Sequence, residues 1–314
     1  CCKIGNNSGK TTIYCYLCTA FMKPKSINNL FTLMLLALIW GSSFILYKKA
    51  LMVFTPIEVV SMRLSLSALA LLPFWIQGSK HIPRKDWKYV IQSGYIGNGI
   101  PVYLFAVAVS LAASGVVGTL NSLTPLFSLT LGMIFYGYPF RWMKVSGVLL
   151  ALIGATFLVL NKGQGNLSDH YLAGILAVVA TVFYGWNSLL TKKNLSQYHA
   201  KTVSAGALLS VGIPAFVVLL FTDAFQKLGS NPDAWQALGF TAILSLGGTA
   251  MALILYNRLI AKAGAIYAAS VAYLMPLVAI LWGWADGETI LPIHLLGFLS
   301  ILLGIGLLNY EKEK

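Results

Sequence analysis

Ala113–Gly137 reads ASGVVGTLNSLTPLFSLTLGMIFYG, and Ala268–Glu288 reads AASVAYLMPLVAILWGWADGE. Each is an apolar run long enough to cross the ~30 Å hydrocarbon layer of a bilayer, and each carries a proline near its middle. An offset of 151 residues lays Pro125 and Leu126 on Pro276 and Leu277, Gly132 on Gly283 and, further upstream, Gly97 on Gly248. One residue less lays Gly137, Gly147 and Gly154 on Gly287, Gly297 and Gly304. Nearer the start, an offset of 144 lays Gly41, Lys48 and Lys49 on Gly185, Lys192 and Lys193. One pattern is therefore written twice along the chain.

Working outward from these stretches, apolar runs bounded by charge, Gly or Pro predict ten spans, at about 30–47, 56–76, 89–110, 114–136, 142–161, 170–190, 202–221, 235–257, 264–284 and 292–310. The runs are continuous, whereas the strands of a membrane barrel would alternate over about ten residues. The fold class is thus an all-α membrane protein of ten transmembrane helices. Its domains are a non-native or disordered leader over residues 1–21, one five-helix repeat over 22–161 and a second over 162–314. An odd number of spans per half requires the second repeat to lie upside down relative to the first, an architecture that lets a site between the halves open to either side in turn.

Charge sets the orientation. With both termini in the cytoplasm, the loops on that side carry Lys23, Lys25, Lys80, Arg84, Lys85, Lys88, Arg141, Lys144, Lys192, Lys193, Lys201, Arg258, Lys262, Lys312 and Lys314. The opposite loops carry Lys48, Lys49, Lys162 and Lys227. The imbalance predicts a multi-pass inner-membrane protein with N- and C-termini cytoplasmic.

Composition excludes several classes. A chain that is 58% hydrophobic and 10% charged cannot cover a water-facing surface. The formal net charge of +13 comes from cations scattered between apolar blocks, so no basic face for nucleic acid is expected. All four cysteines (Cys1, Cys2, Cys15 and Cys18) lie in the first 18 residues without a matching pair elsewhere, so no metal site is expected. The leader's SGKTT resembles a phosphate loop, but only three residues separate Gly5 from Gly9 where that loop needs four. Met22 opens MKPKSINNLF, a short basic start, so residues 1–21 are expected to be upstream sequence. The long run that follows Met22 does not read as a cleaved signal.

Candidate functional residues are those that hydrocarbon tolerates badly. Pro125 and Pro276 each remove a helical hydrogen bond and predict a kink in spans 4 and 9. A symmetric pair of interrupted helices points to a midplane transport site, and simple packing is the alternative. Unpaired amides are costly in lipid and should face other helices or a wet cavity. The candidate solute-binding set is Trp40, Asn98, Tyr103, Asn121, Ser122, Tyr184, Trp186, Asn187, Asn257 and Tyr273, and aromatic walls with a few amides suit an organic solute. Tyr256, near a span end, reads as an interface anchor. Glu58 and Arg63 in span 2 are embedded charges, candidates for gating or coupling. Five helical residues separate them, about 7.5 Å in depth and about 140° around the axis. Gly147 with Gly154 and Gly297 with Gly304 mark close-packing faces, or else a homodimer contact.

The order and spacing of ALIWGSSFILYKKA in the first span, EVVSMRLSLSALALLP in the second and the two opening stretches resemble the EamA branch of the drug/metabolite transporter superfamily, over residues 24–311. That resemblance implies a ten-helix carrier for amino acids or other small metabolites, with a central cavity lined by spans 1, 3, 4, 6, 8 and 9. Arg63 matches a recurrent arginine of that family. Small multidrug relatives use a glutamate in span 1 for proton exchange, and span 1 here has no acidic residue, which disfavours a cationic-drug antiporter. No cofactor is expected, and the partners are a small-molecule solute and membrane lipid. An intramembrane enzyme would need a buried nucleophile and base or clustered ligands, whereas the histidines and aspartates fall in loops or at span ends. A sensor or scaffold is the non-enzymatic alternative, with little loop surface to support it.

Overall fold

In a bilayer a backbone must satisfy its own polar groups, so apolar runs of this length fold as helices. The computed structural model describes residues 2–7, 10–15, 27–112, 114–137, 167–269 and 271–287, with isolated positions between 142 and 153 and between 292 and 303. Strands β1 (Cys2–Asn7) and β2 (Lys10–Cys15) form an antiparallel hairpin. Eight helices among the described residues are long and apolar enough to cross a membrane. They are α1 (Ile27–Ala50), α2 (Pro56–His81), α3 (Arg84–Leu111), α4 (Val116–Phe135), α5 (Asp169–Leu195), α6 (Ala200–Leu220), α7 (Ala234–Ala263) and α8 (Tyr267–Ala285). These coincide with eight of the expected spans. Those expected at 142–161 and 292–310 lie outside the described residues but for isolated positions.

Local signals set the helix ends. At the start of α2, Pro56 occupies the first turn, the Thr55 hydroxyl accepts from the Glu58 N–H at 3.3 Å, and the Glu58 carboxylate accepts from the Thr55 N–H at 2.7 Å. This reciprocal capping box satisfies two backbone donors that would otherwise face an apolar interior. At their far ends α4 and α8 turn on Gly137 (φ 69°) and Gly287 (φ 83°), in a backbone region that only glycine enters without strain. Large apolar side chains such as Leu38, Leu69, Ile134, Ile213, Phe216 and Leu281 remain exposed, forming a surface suited to lipid.

The helices pack as a two-fold arrangement requires. α1 lies on α7 and α8 as α5 lies on α3 and α4, and α2 packs on α7 as α6 packs on α3. α2 pairs with α6, and α4 with α8, across the centre. Among the described residues, each of these contacts between halves recurs with the halves exchanged. The glycines repeat the relation: a Cβ on Gly41 of α1 would stand 2.5 Å from Val278 Cβ of α8, and one on Gly185 of α5 would stand 2.7 Å from the backbone nitrogen of Ser128 of α4. Small residues let these backbones approach closely.

Each end of the bundle is tied by its own loops. At one end Asp286, just after α8, pairs with Lys49 and, at 2.8 Å, with Lys48, while Lys227 pairs with Glu58 at 2.6 Å. At the other end Tyr198 donates to Asp86, and Lys193 Nζ lies 4.9 Å from the ring centre of Tyr136. Three of the four lysines expected on the translocated side thus have carboxylate partners. Lys162 lies outside the described residues.

Candidate solute-binding site

Two local irregularities build the site. α3 passes through a wide π-helical turn at Tyr95–Gly99, and α7 through another at Leu246–Met251. Gly97 and Gly248, equated by the repeat, sit in these turns. A π turn inserts a residue into the ladder and displaces one carbonyl from its usual donor. In α3 the Asn98 amide donates to the Ser93 carbonyl at 3.5 Å, and in α7 the Thr249 hydroxyl donates to the Leu244 carbonyl at 3.0 Å. The same 151-residue offset relates both donor and acceptor. α4 is interrupted too, by a 3-10 turn at Asn121–Leu123, with Pro125 in the first turn of the helix that resumes at Thr124. Pro276 lies within the helical stretch Val271–Ala285.

These turns surround a cavity of about 110 Å3. Its wall includes Trp40, Ser43, Phe44 and Tyr47 of α1, Arg63 of α2, Asn98 and Phe105 of α3, and Asn121 and Thr124 of α4. The second half contributes Tyr184 and Asn187 of α5, Thr249 and Tyr256 of α7, and Ala272 and Met275 of α8. Trp40 donates its indole N–H to the Gly248 carbonyl at 2.8 Å and meets Tyr256 edge-on, with ring centres 5.0 Å apart. Tyr256 shares a 2.9 Å hydrogen bond with Ser188, while Phe105 stacks on Tyr184 at 5.7 Å. Asn121 donates to the Met275 sulfur at 3.4 Å and accepts from the Thr124 hydroxyl at 3.2 Å. The Asn187 side-chain oxygen is buried without a hydrogen-bond partner.

Arg63 is the charged side chain of this wall. It is 7% exposed, and its guanidinium donates to the Thr249 hydroxyl, to the Tyr47 hydroxyl and, at 3.4 Å, to the Gly248 carbonyl. Glu58, five residues earlier, faces elsewhere: its carboxylate caps α2 and pairs with Lys227.

The structure brings together Trp40, Asn98, Asn121, Tyr184, Asn187 and Arg63 from the expected set, and places the others outside the cavity wall. Tyr103 shares a 2.8 Å hydrogen bond with Ser61, joining α3 to α2, and Asn257 donates to Ser204 at 2.9 Å, joining α7 to α6. Trp186 is 40% exposed and stacks on Phe135 at 5.8 Å. Ser122 is buried within the 3-10 turn, and Tyr273 is buried in α8. Tyr47, Thr249 and Tyr256 join the wall without having been expected there. For Thr249 the available signal was its place beside the repeated glycine. Among the described residues no group of three His, Cys, Asp or Glu side chains is arranged to hold a metal ion.

A model of the EamA-like transporter family matches the chain twice, over residues 28–160 and 172–310. The uncharacterized inner membrane transporter YedA of Escherichia coli K12 is 26% identical, over 93% of this chain and 94% of its own. An S-adenosylmethionine/S-adenosylhomocysteine transporter of Chlamydia trachomatis serovar L2 is 24% identical, over 95% and 94%. One protein crystal structure superposes with a TM-score of 0.59 at 17% identity, covering 89% of this chain and 96% of that one, a likeness of fold alone.

Proposed function

The chain belongs to the EamA-like transporter family, and on that premise we propose that it is a non-enzymatic secondary transporter of small organic metabolites such as amino acids. In this reading ten helices form two inverted repeats in the inner membrane with both termini cytoplasmic, and the cavity between the repeats opens to each side in turn. The observation that carries the proposal is the cavity's construction. Both halves contribute, through π turns at positions the repeat equates, so that exchanging the conformations of the halves exchanges the side on which the site opens. Aromatic rings and amides line it in the proportion suited to an organic solute. The 3-10 turn before Pro125 supplies a place for α4 to bend, with Pro276 as its counterpart in α8. The name of the chlamydial relative adds nucleoside-bearing amino acids to the solutes worth testing.

The test is uptake and counterflow in vesicles reconstituted with purified protein, against a panel of amino acids, their derivatives and other small metabolites. At least one solute should accumulate faster than in protein-free vesicles, and Trp40→Ala and Asn121→Ala should each reduce its rate about tenfold or more, as loss of one or two site contacts implies. A protein that moves nothing on the panel yet cleaves a lipid or peptide would overturn the assignment. Orientation has its own readout: a cytoplasmic reporter fused after Lys314 should be active and a periplasmic one silent.

A further inference from the structure

A guanidinium is a permanent cation. Taking one out of water is costly unless an opposite charge accompanies it, and in a membrane protein such a charge marks function by default. Arg63 is 7% exposed, and its three acceptors, two hydroxyls and a carbonyl, are all neutral. No Asp or Glu lines the cavity among the described residues. Glu58, the acid nearest in sequence, is engaged by Lys227 and by its own helix cap, and Asp286 is engaged by Lys48 and Lys49. The guanidinium has five donors, three of them used, so donors remain for a ligand at the cavity wall.

We propose that Arg63 binds a carboxylate carried by the transported solute, so that the site selects carboxylic acids over their decarboxylated counterparts. The inference rests on reading this cavity as the transport site. A single cation sets the charge class: one carboxylate neutralises it, whereas a phosphate monoester brings about two negative charges to a wall whose other polar groups are neutral. A second, independent feature points to a missing solute group. Asn187 is 4% exposed and lines the same cavity, and its side-chain oxygen lacks a donor, so a zwitterion's N–H suits it when the carboxylate lies on Arg63. The repeat shows that this charge is a local addition. The offset of 144 equates Arg63 with Ala207, so the cation belongs to one half only and faces the α7 turn through Gly248 and Thr249.

The experiment uses matched sets: phenylalanine, phenethylamine, phenylalanine amide and 3-phenylpropionate, with the same four forms of leucine. Binding to the purified full chain in detergent is measured by ligand-induced thermal shift and calorimetry, and movement in vesicles is followed separately. Wild type should bind the amino acid at least tenfold more tightly than its amine and amide, the scale of one charge-assisted hydrogen-bonded contact. Binding of 3-phenylpropionate as well would show that the carboxylate suffices, while its rejection would show that the ammonium is also read. Either leaves the assignment to Arg63 standing. Arg63→Gln should abolish the preference for the acid, and Arg63→Lys should retain it at lower affinity. Equal binding of acid, amine and amide by wild type, or unchanged selectivity in folded Arg63→Gln, overturns the inference. Where Arg63→Gln does not fold, equal binding by wild type still overturns the inference, and the affinity of Arg63→Lys for the acid tests the assignment to Arg63. A protein that binds acids selectively but moves nothing would refute transport and leave Arg63's role intact. One that moves amines and acids alike would do the reverse.

Discussion

Gly41 lies so close to Val278 that a methyl group on it would stand 2.5 Å from the Val278 Cβ, nearer than side chains pack. Gly41→Ala is expected to force α1 away from α8 and lower stability by about 1–3 kcal/mol, the usual cost of overpacking. Gly185→Ala, whose added methyl would meet the α4 backbone, should cost as much or more. Gly239→Ala serves as the contrast, because a Cβ there has nothing within 4 Å and the residue is helical. It should be neutral or stabilising by up to about 1 kcal/mol. Thermal denaturation in one detergent compares the three, and equal losses would contradict the packing described.

Thr249→Val separates the π turn of α7 from an ordinary helix. The Thr249 hydroxyl donates to the Leu244 carbonyl and accepts from Arg63, so removing it leaves the buried guanidinium short of a partner and should cost about 1–3 kcal/mol. In Thr241→Val the lost bond is to the carbonyl four residues back, which the helix ladder already satisfies. That change should cost less than about 1 kcal/mol. Similar melting points for the two variants would remove the special role given to the turn.

Glu58 joins two structural tasks, the α2 cap and the Lys227 pair, and is 2% exposed. Glu58→Ala is expected to destabilise by about 1–3 kcal/mol, combining cap loss with a half-buried lysine left alone. Glu58→Gln should recover the cap part only. If either variant kept full stability but lost the pH dependence of transport, the residue would belong to coupling rather than to structure.

The two ends of the bundle should respond to pH in opposite senses. Hydrogen bonds from Lys48 and Lys49 hold the Asp286 carboxyl below its usual range. A depressed carboxylate stabilises the fold above the ordinary carboxylate pKa and loses that contribution as pH falls through the lowered value. The hydrogen bond to Asp86 raises Tyr198 above the usual phenol range, so its contribution is complete below about pH 10 and fades as pH rises through the raised value. Melting curves across pH should show Asp286→Asn flattening the acid limb and Tyr198→Phe the alkaline limb. The reverse pattern would refute the assignment.

Eight helices were legible because apolar length and bounding charges are linear properties of the chain. The cavity was only half legible, for a reason of helical phase. Successive residues point about 100° apart, so Asn187 reaches the cavity while its neighbour Trp186 stacks on Phe135 at the surface, and Asn121 lines the wall while Ser122 does not. In a soluble helix the apolar stripe would reveal that phase. Here the lipid-facing side is as apolar as the packed side, so the stripe disappears. Tyr47 and Tyr256 were hidden differently: each sits near a span end, where an aromatic ring usually meets the membrane interface, and only tertiary packing turns them inward. The π turns were marked by the repeated Gly97 and Gly248, but a glycine in a helix reads equally well as a close crossing.

Gly137 and Gly287 turn the chain in the same way after α4 and α8, yet the residue before each differs: Tyr136 in the first half, Asp286 in the second. The lysines that face them, Lys193 and the pair Lys48 and Lys49, are themselves repeat equivalents. The two ends of the bundle are therefore held by unlike contacts, a salt bridge at one and a cation over an aromatic ring at the other. Ions in the medium screen the first far more than the second. Where exchange requires these ends to part, raising salt on the Asp286 side alone should hasten it, and raising it on the Tyr136 side should change the rate less.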